Sequence, residues 1–131
     1  MSVLTPAASE AIERDAATKS IREIVGWLAD RLGARMTAHL ASLKDEKQIS
    51  RYRREDGPTP SATAELRLRE GFKIVRTIVG AYDETTARAW LFGTNSRLDD
   101  EAPIEVLSAA KTARDAVPVL RAARQLATFE S

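Results

Sequence analysis

The sequence contains one histidine and no cysteine, so acid–base work would fall on His39 and the carboxylates, and thiolate chemistry is excluded. A lone imidazole in a short helical stretch (RMTAHLA, residues 35–41) reads as a packing or surface group rather than a general base. Asp99-Asp100-Glu101 is a run of three acids, but adjacent carboxylates do not converge on one cation, and the fixed glycine of an EF-hand loop is missing. Neither a GxGxxG nor a GxxxxGK[ST] phosphate loop occurs. No enzymatic activity, no metal and no cofactor are expected.

The residues with a more specific chemistry are basic. Residues 31–76 carry 11 basic and 6 acidic side chains, whereas residues 1–30 carry 3 and 5, and residues 77–131 carry 6 and 8. A net charge of +1 therefore conceals a positive middle section of the kind that meets a polyanion. Within it the pattern predicts two short helices, 35–41 and 46–54, joined by a three- or four-residue turn at Lys44-Asp45, with Asp45 capping the second. That is the arrangement of a helix-turn-helix. Glu46, Lys47 and Gln48 would point at base edges. Ser50, Arg51, Arg53 and Arg54 would reach phosphates, and Arg51 a guanine edge as well. The competing reading of RYRR is a solvated helix end, where arginines favour the C-terminal dipole.

The elements that must position these residues are helical throughout, and an all-α fold is expected: one domain, or two very small ones sharing a core. Ile21, Ile24, Val25, Leu28 and Leu32 recur on one helix face after Ser20, and Gly33 stands at the C-terminal cap. Ile49 and Tyr52 lie on the inward side of the basic helix, and Asp56-Gly57-Pro58-Thr59-Pro60 stops it. Ser61 caps a helix of about five turns whose stripe runs through Ala64, Leu68, Gly71, Phe72, Val75, Ile78 and Val79. Asp83 caps ETTARAWLF, and residues 94–103 form an ordered loop anchored by Leu98. Pro103 opens PIEVLSAA, and Asp115 caps a last helix with Pro118 in its first turn and Val119, Ala122, Ala123 and Leu126 facing inward. Residues 1–19 are expected to be a frayed or loosely docked arm.

The stretch KDEKQISRYRREDGPTPSATAELRLREGFKIVRTI resembles the Xre-type helix-turn-helix of a group of antitoxins. Its marks are the basic, aromatic-bearing helix end Ser50-Arg51-Tyr52, the turn from Asp56 to Pro60, and the long helix after it; the family usually has Trp where this chain has Tyr52. Further on, ARAWLFGTNSRLDDEAPIEVL is similar to the Xre/MbcA/ParS-like toxin-binding domain, through Trp90-Leu91, Asn95, Leu98 and the run Pro103, Ile104, Glu105, Val106, Leu107. The two segments are residues 44–78 and 87–107, and the resemblance is read across about residues 20–127. The resemblance implies a helix-turn-helix region at 20–60 that binds the operon's own promoter DNA. It also implies a toxin-binding region at 61–131 that blocks the active site of a RES-type, NAD⁺-consuming toxin.

Trp90, Leu91, Leu98, Ile104 and Leu107 are expected to form the core of the second region. Toxin contacts are therefore sought among Arg97, Arg121, Arg124 and the near-terminal Phe129. A homodimer is expected, because one helix reads only about four base pairs. Without cysteine, an export signal or an apolar run of about 18 residues, a cytoplasmic location is expected, with no membrane contact. A stand-alone repressor without a toxin, and an interaction module that has lost DNA binding, are the alternatives.

Overall fold

The computed structural model describes residues 3–128. Among them the fold is all-α: eight helices, one 3-10 turn and no strand. The helices are α1 (Pro6–Thr18), α2 (Ile21–Leu32), α3 (Ala34–Leu40), α4 (Lys47–Arg53), α5 (Ala62–Ala81), α6 (Glu84–Phe92), α7 (Pro103–Ser108) and α8 (Ala113–Thr128), with the 3-10 turn at Ser96–Leu98. No described helix is long and apolar enough to cross a membrane.

Local chemistry explains most of the boundaries. The Ser20 hydroxyl accepts from the Glu23 N–H at 3.1 Å and donates to the Glu23 carboxylate at 3.2 Å, a reciprocal cap that starts α2. Ser61 accepts from Ala64 N–H at 3.2 Å at the head of α5, and Asp83 accepts from Thr86 N–H at 2.7 Å at the head of α6. Gly33, at φ 85°, ends α2 in a backbone conformation that a side chain would strain.

One apolar cluster runs through the whole chain. Ile24, Val25 and Leu28 of α2, Leu40 of α3, Ile49 of α4, Phe72, Ile74 and Ile78 of α5, Leu91 of α6, Ile104 and Leu107 of α7 and Val119 of α8 all belong to it. The long helix α5 is its axis, packed most extensively on α8 and also on α1, α2 and α6. Gly71 lets α3 approach α5: a Cβ there would lie 2.7 and 2.8 Å from the Leu40 methyls.

Arginines on this axis cap other helices. Arg67 donates to the carbonyls of Ala110 and Ala41, at the ends of α7 and α3, at 2.8 and 3.3 Å. Arg69 donates to the carbonyls of Ala16 and Lys19 at the end of α1, both at 2.8 Å, and Arg88 of α6 donates to the Arg31 carbonyl at 2.8 Å.

Three expectations are corrected. The N-terminal segment is not a loose arm: Thr5 accepts from Ala8 N–H, Pro6 stands at the first helical position, and α1 docks on α5 with Ile12 and Ala16 buried. The connection between α3 and α4 spans six residues, 41–46, because Leu43 N–H donates back to the Ala38 carbonyl at 2.8 Å and Ser42 takes φ 61° to close α3. Helix α8 begins before Asp115, which caps from inside by accepting from the N–H groups of Lys111 and Thr112 at 2.9 and 3.1 Å. Pro118 is thus the sixth residue of α8, where it withholds a bond from the Arg114 carbonyl. Both residues are exposed, which keeps that cost low.

Candidate functional site

Helix α4 is held by its inner face and displays its outer one. Ile49 and Tyr52 are buried against the cluster, while the Asp45 carboxylate accepts from Lys47 N–H at 2.9 Å and fixes where the helix begins. Its other end is set by Gly57, whose N–H donates to the Arg54 carbonyl at 3.1 Å. A Cβ at Gly57 would stand 1.9 Å from the Arg51 carbonyl oxygen, so any side chain would push the end of α4 out of place. The helix packs on α2 and α3.

Of the six residues expected to face DNA, Lys47, Ser50, Arg51, Arg53 and Arg54 are exposed and Gln48 is half-buried. Arg53 is not available in the way its neighbours are: its guanidinium is 2.8 Å from the Asp30 carboxylate of α2. Among the described residues no carboxylate lies within ion-pair distance of Lys47, Arg51 or Arg54. Sequence reading left out Arg35 and Lys44. They line an open groove of about 440 Å³ with His39 and Asp45, between α3 and the turn that leads into α4. Their signal was composition alone, since neither lies on the expected second helix.

His39 itself is a surface linker. Its Nε2 is 2.8 Å from the Glu105 carboxylate of α7, and its ring meets Phe92 edge-on at 6.0 Å between centroids. Among the described residues no group of three potential ligands is placed to hold a metal ion.

The second motif is mainly structural. Leu91, Leu98, Ile104 and Leu107 are buried, as expected of a core. Asn95 organises the acidic loop: its side chain accepts from Arg97 N–H at 2.9 Å, and its carbonyl accepts from the N–H groups of Leu98 and Asp100, both at 2.9 Å. Trp90 departs from expectation. It is only half-buried, packed against the edge of the cluster, because the inward positions of α6 are taken by Ala87 and Leu91.

The expected partner contacts separate. Arg97 and Arg121 come together, lining a groove of about 240 Å³ with Pro118, Ala122 and Gln125. Arg124 shares a different groove with Arg121, of about 320 Å³, where its guanidinium is 2.8 Å from the Glu13 carboxylate of α1. Phe129 lies outside the described residues. Glu13 also approaches the Lys73 ammonium at 3.2 Å, and Lys73 is 2.8 Å from the buried Glu70. Burial of Lys73 works against its charge, but the hydrogen bonds and charges of Glu70 and Glu13 outweigh it and raise its pKa.

The chain thus displays two cationic surfaces on one core: α4, with Lys47, Arg51 and Arg54, and the outer side of α8, with Arg97 and Arg121. Compared with protein-family models, with curated proteins and with solved structures, the chain matches none.

Proposed function

We propose that the chain is the antitoxin of a type II toxin–antitoxin pair, acting in the cytoplasm: α4 binds the promoter DNA of its own operon, and the C-terminal helical surface binds and occludes a RES-type, NAD⁺-consuming toxin. The observation that carries this reading is the presence of two separate cationic surfaces on one core, neither neutralised by the chain's own described carboxylates. The α4 surface has the placement of a recognition helix, with its apolar residues anchored and three cations free to meet phosphates. The Arg97–Arg121 groove offers guanidinium donors to acidic groups on a protein partner, where a desolvated pair contributes more than an exposed one. The likeness of residues 87–107 to the toxin-binding signature supports the choice of partner. Two copies would be needed to read a two-fold operator.

The test pairs two assays on the full chain. In gel shifts, Lys47, Arg51 and Arg54 from two copies would neutralise about six phosphates, so log K should fall with log salt at a slope near −5. Arg51→Ala/Arg54→Ala should flatten that slope by about 3 to 4. In cells co-expressing a RES-type toxin, the same variant should still preserve NAD⁺, whereas Arg97→Glu/Arg121→Glu should lose protection and keep DNA binding. Absence of any promoter shift at low salt, or full protection by the Arg97/Arg121 variant, overturns the corresponding half. DNA binding with no protection by the wild-type chain would leave a stand-alone repressor.

A further inference from the structure

The face of α5, flanked by Trp27 of α2 and Arg124 of α8, already holds a helical ligand, supplied by the chain's own α1. Helix α1 presents the sequence Ile12-Glu13-Arg14-Asp15-Ala16 to it. Ile12 and Ala16 enter the apolar floor, Glu13 meets Lys73 and Arg124 at 3.2 and 2.8 Å, and Asp15 meets Arg76. The attachment is mostly polar. Of the thirteen residues of α1 only Ile12 and Ala16 are buried. Open grooves of about 430 and 110 Å³ remain along its length, where Ala8 and Ile12 stand over Arg76 and Gly80. Ion pairs near a surface hold weakly and are screened by salt.

The groove is also built to outlast the departure of α1. Arg69 would lose the Ala16 and Lys19 carbonyls and Lys73 would lose Glu13, but Arg69 keeps its pair with Glu65 and Lys73 its bond to Glu70, both at 2.8 Å, so neither cation is stranded. Lys19 and Ser20, both extended, separate α1 from α2, and α2 starts with its own reciprocal cap. Helix α2 does not depend on α1 for its start, and α8 would give up one bond, from Leu4 N–H to the Ala127 carbonyl at 3.1 Å. Arg124, one of the cations expected to meet a partner, is the residue that Glu13 occupies.

We propose that α1 is a displaceable clasp over a docking groove for an acidic amphipathic helix of a partner protein, one carrying an aliphatic residue, carboxylates one and three positions after it, and a small residue at the fourth. The seated helix itself shows the charge and side-chain pattern that the groove accepts: carboxylates to face Lys73, Arg76 and Arg124, and little apolar bulk. The proposal is independent of the toxin's identity and of DNA binding.

The test uses the full chain and a fluorescein-labelled peptide of residues 3–20 as the probe. Glu13→Gln/Asp15→Asn should loosen α1, and the peptide should bind this variant about tenfold more tightly than it binds the wild type, the worth of three surface ion pairs. Adding Arg124→Gln should weaken binding again. Amide exchange over residues 6–18 should quicken by a similar factor while α5 stays protected. Glu13→Gln alone, which leaves the Asp15–Arg76 pair in place, should show the same changes at smaller amplitude if the double variant does not fold. A disulfide in Leu4→Cys/Ala127→Cys, at two residues joined by an N–H to carbonyl bond of 3.1 Å, should abolish peptide binding until it is reduced. Amides 6–18 exchanging as slowly as those of α5 in every variant, or peptide binding indifferent to Arg124→Gln, overturns the proposal. Concentration-dependent dimerisation of the loosened variants in place of peptide binding also overturns it, by assigning the groove to a second copy's α1.

Discussion

Gly71→Ala and Gly80→Ala make the same chemical change on the same helix, and they should have opposite signs. Within a helix, alanine is favoured over glycine by about 1 kcal/mol. At Gly80, exposed and with no heavy atom within 4 Å of an added Cβ, that gain should appear as about 0.5–1 kcal/mol of stabilisation, the low end reflecting its place in the last turn of α5. At Gly71 the added Cβ would stand 2.7 and 2.8 Å from the two Leu40 methyls and 3.2 Å from Leu40 Cγ. Leu40 is fully buried and has no solvent to move into. It must leave its rotamer or push α3 outward, an overpacking cost of about 1–3 kcal/mol that exceeds the propensity gain or cancels it. The net expectation is a loss of about 0–2 kcal/mol. The two variants should differ by about 0.5–3 kcal/mol, which at this chain length is about 2–12 °C in Tm. Circular dichroism melts and urea titrations would measure it. Combining Gly71→Ala with Leu40→Ala closes a double-mutant cycle, in which the leucine truncation should cost at least about 1 kcal/mol less once Gly71 is Ala. Equal stabilisation by both glycine replacements, or a cycle without coupling, would refute the claim that Leu40 against Gly71 sets how closely α3 sits on the long helix.

Trp90→Ala should cost about 1–2 kcal/mol, because the indole is half-buried, whereas Leu91→Ala, fully buried beside it, should cost about 2–5 kcal/mol; melts showing the reverse order would return Trp90 to the core. Ser61→Ala should cost about 1 kcal/mol by removing the acceptor of Ala64 N–H, with Ser61→Asp nearly neutral in the same melts. Acid should destabilise the fold through Asp15, Asp83 and Asp115. Asp15 is held below its ordinary value of 3.8 by the hydrogen bond from Arg76, Asp83 by hydrogen bonds from Thr86, and Asp115 by those from Lys111 and Thr112. Depressed carboxylates stabilise above their unfolded value and lose that contribution as pH falls through their folded ones, so Tm should be level from about pH 7 to 5 and drop below about pH 4. A fragment of residues 61–131 should show no cooperative melt, since it lacks Ile24, Val25 and Leu28 of the shared cluster; a sharp transition would show two independent cores.

What could be read in the sequence depended on whether a residue's role was local. The caps at Ser61 and Asp83, the stripe of α5 and the inward pair Ile49 and Tyr52 each follow from spacing within a few turns, and the folded chain uses them as their pattern requires. Helix α1 starts by the same local chemistry, with Thr5 as its cap and Pro6 at its first position, yet the segment was expected to be a loose arm. What seats it is non-local: carboxylates at Glu13 and Asp15 whose cations lie 60 or more residues away in sequence. Charge suffered most from this. The excess of basic residues in 31–76 looked like one polyanion surface, yet Arg53 is spent on Asp30, Arg67 and Arg69 on helix-end carbonyls, and Lys73 and Arg76 on the acids of α1. Counting charges along a chain cannot separate an arginine that caps a neighbouring helix from one that faces solvent, because the two differ only in what the fold brings beside them. The cations left over at Lys47, Arg51 and Arg54 carry more weight for that reason: a chain that pairs most of its other central cations internally leaves two of these on one short helix and the third at its C-terminal cap.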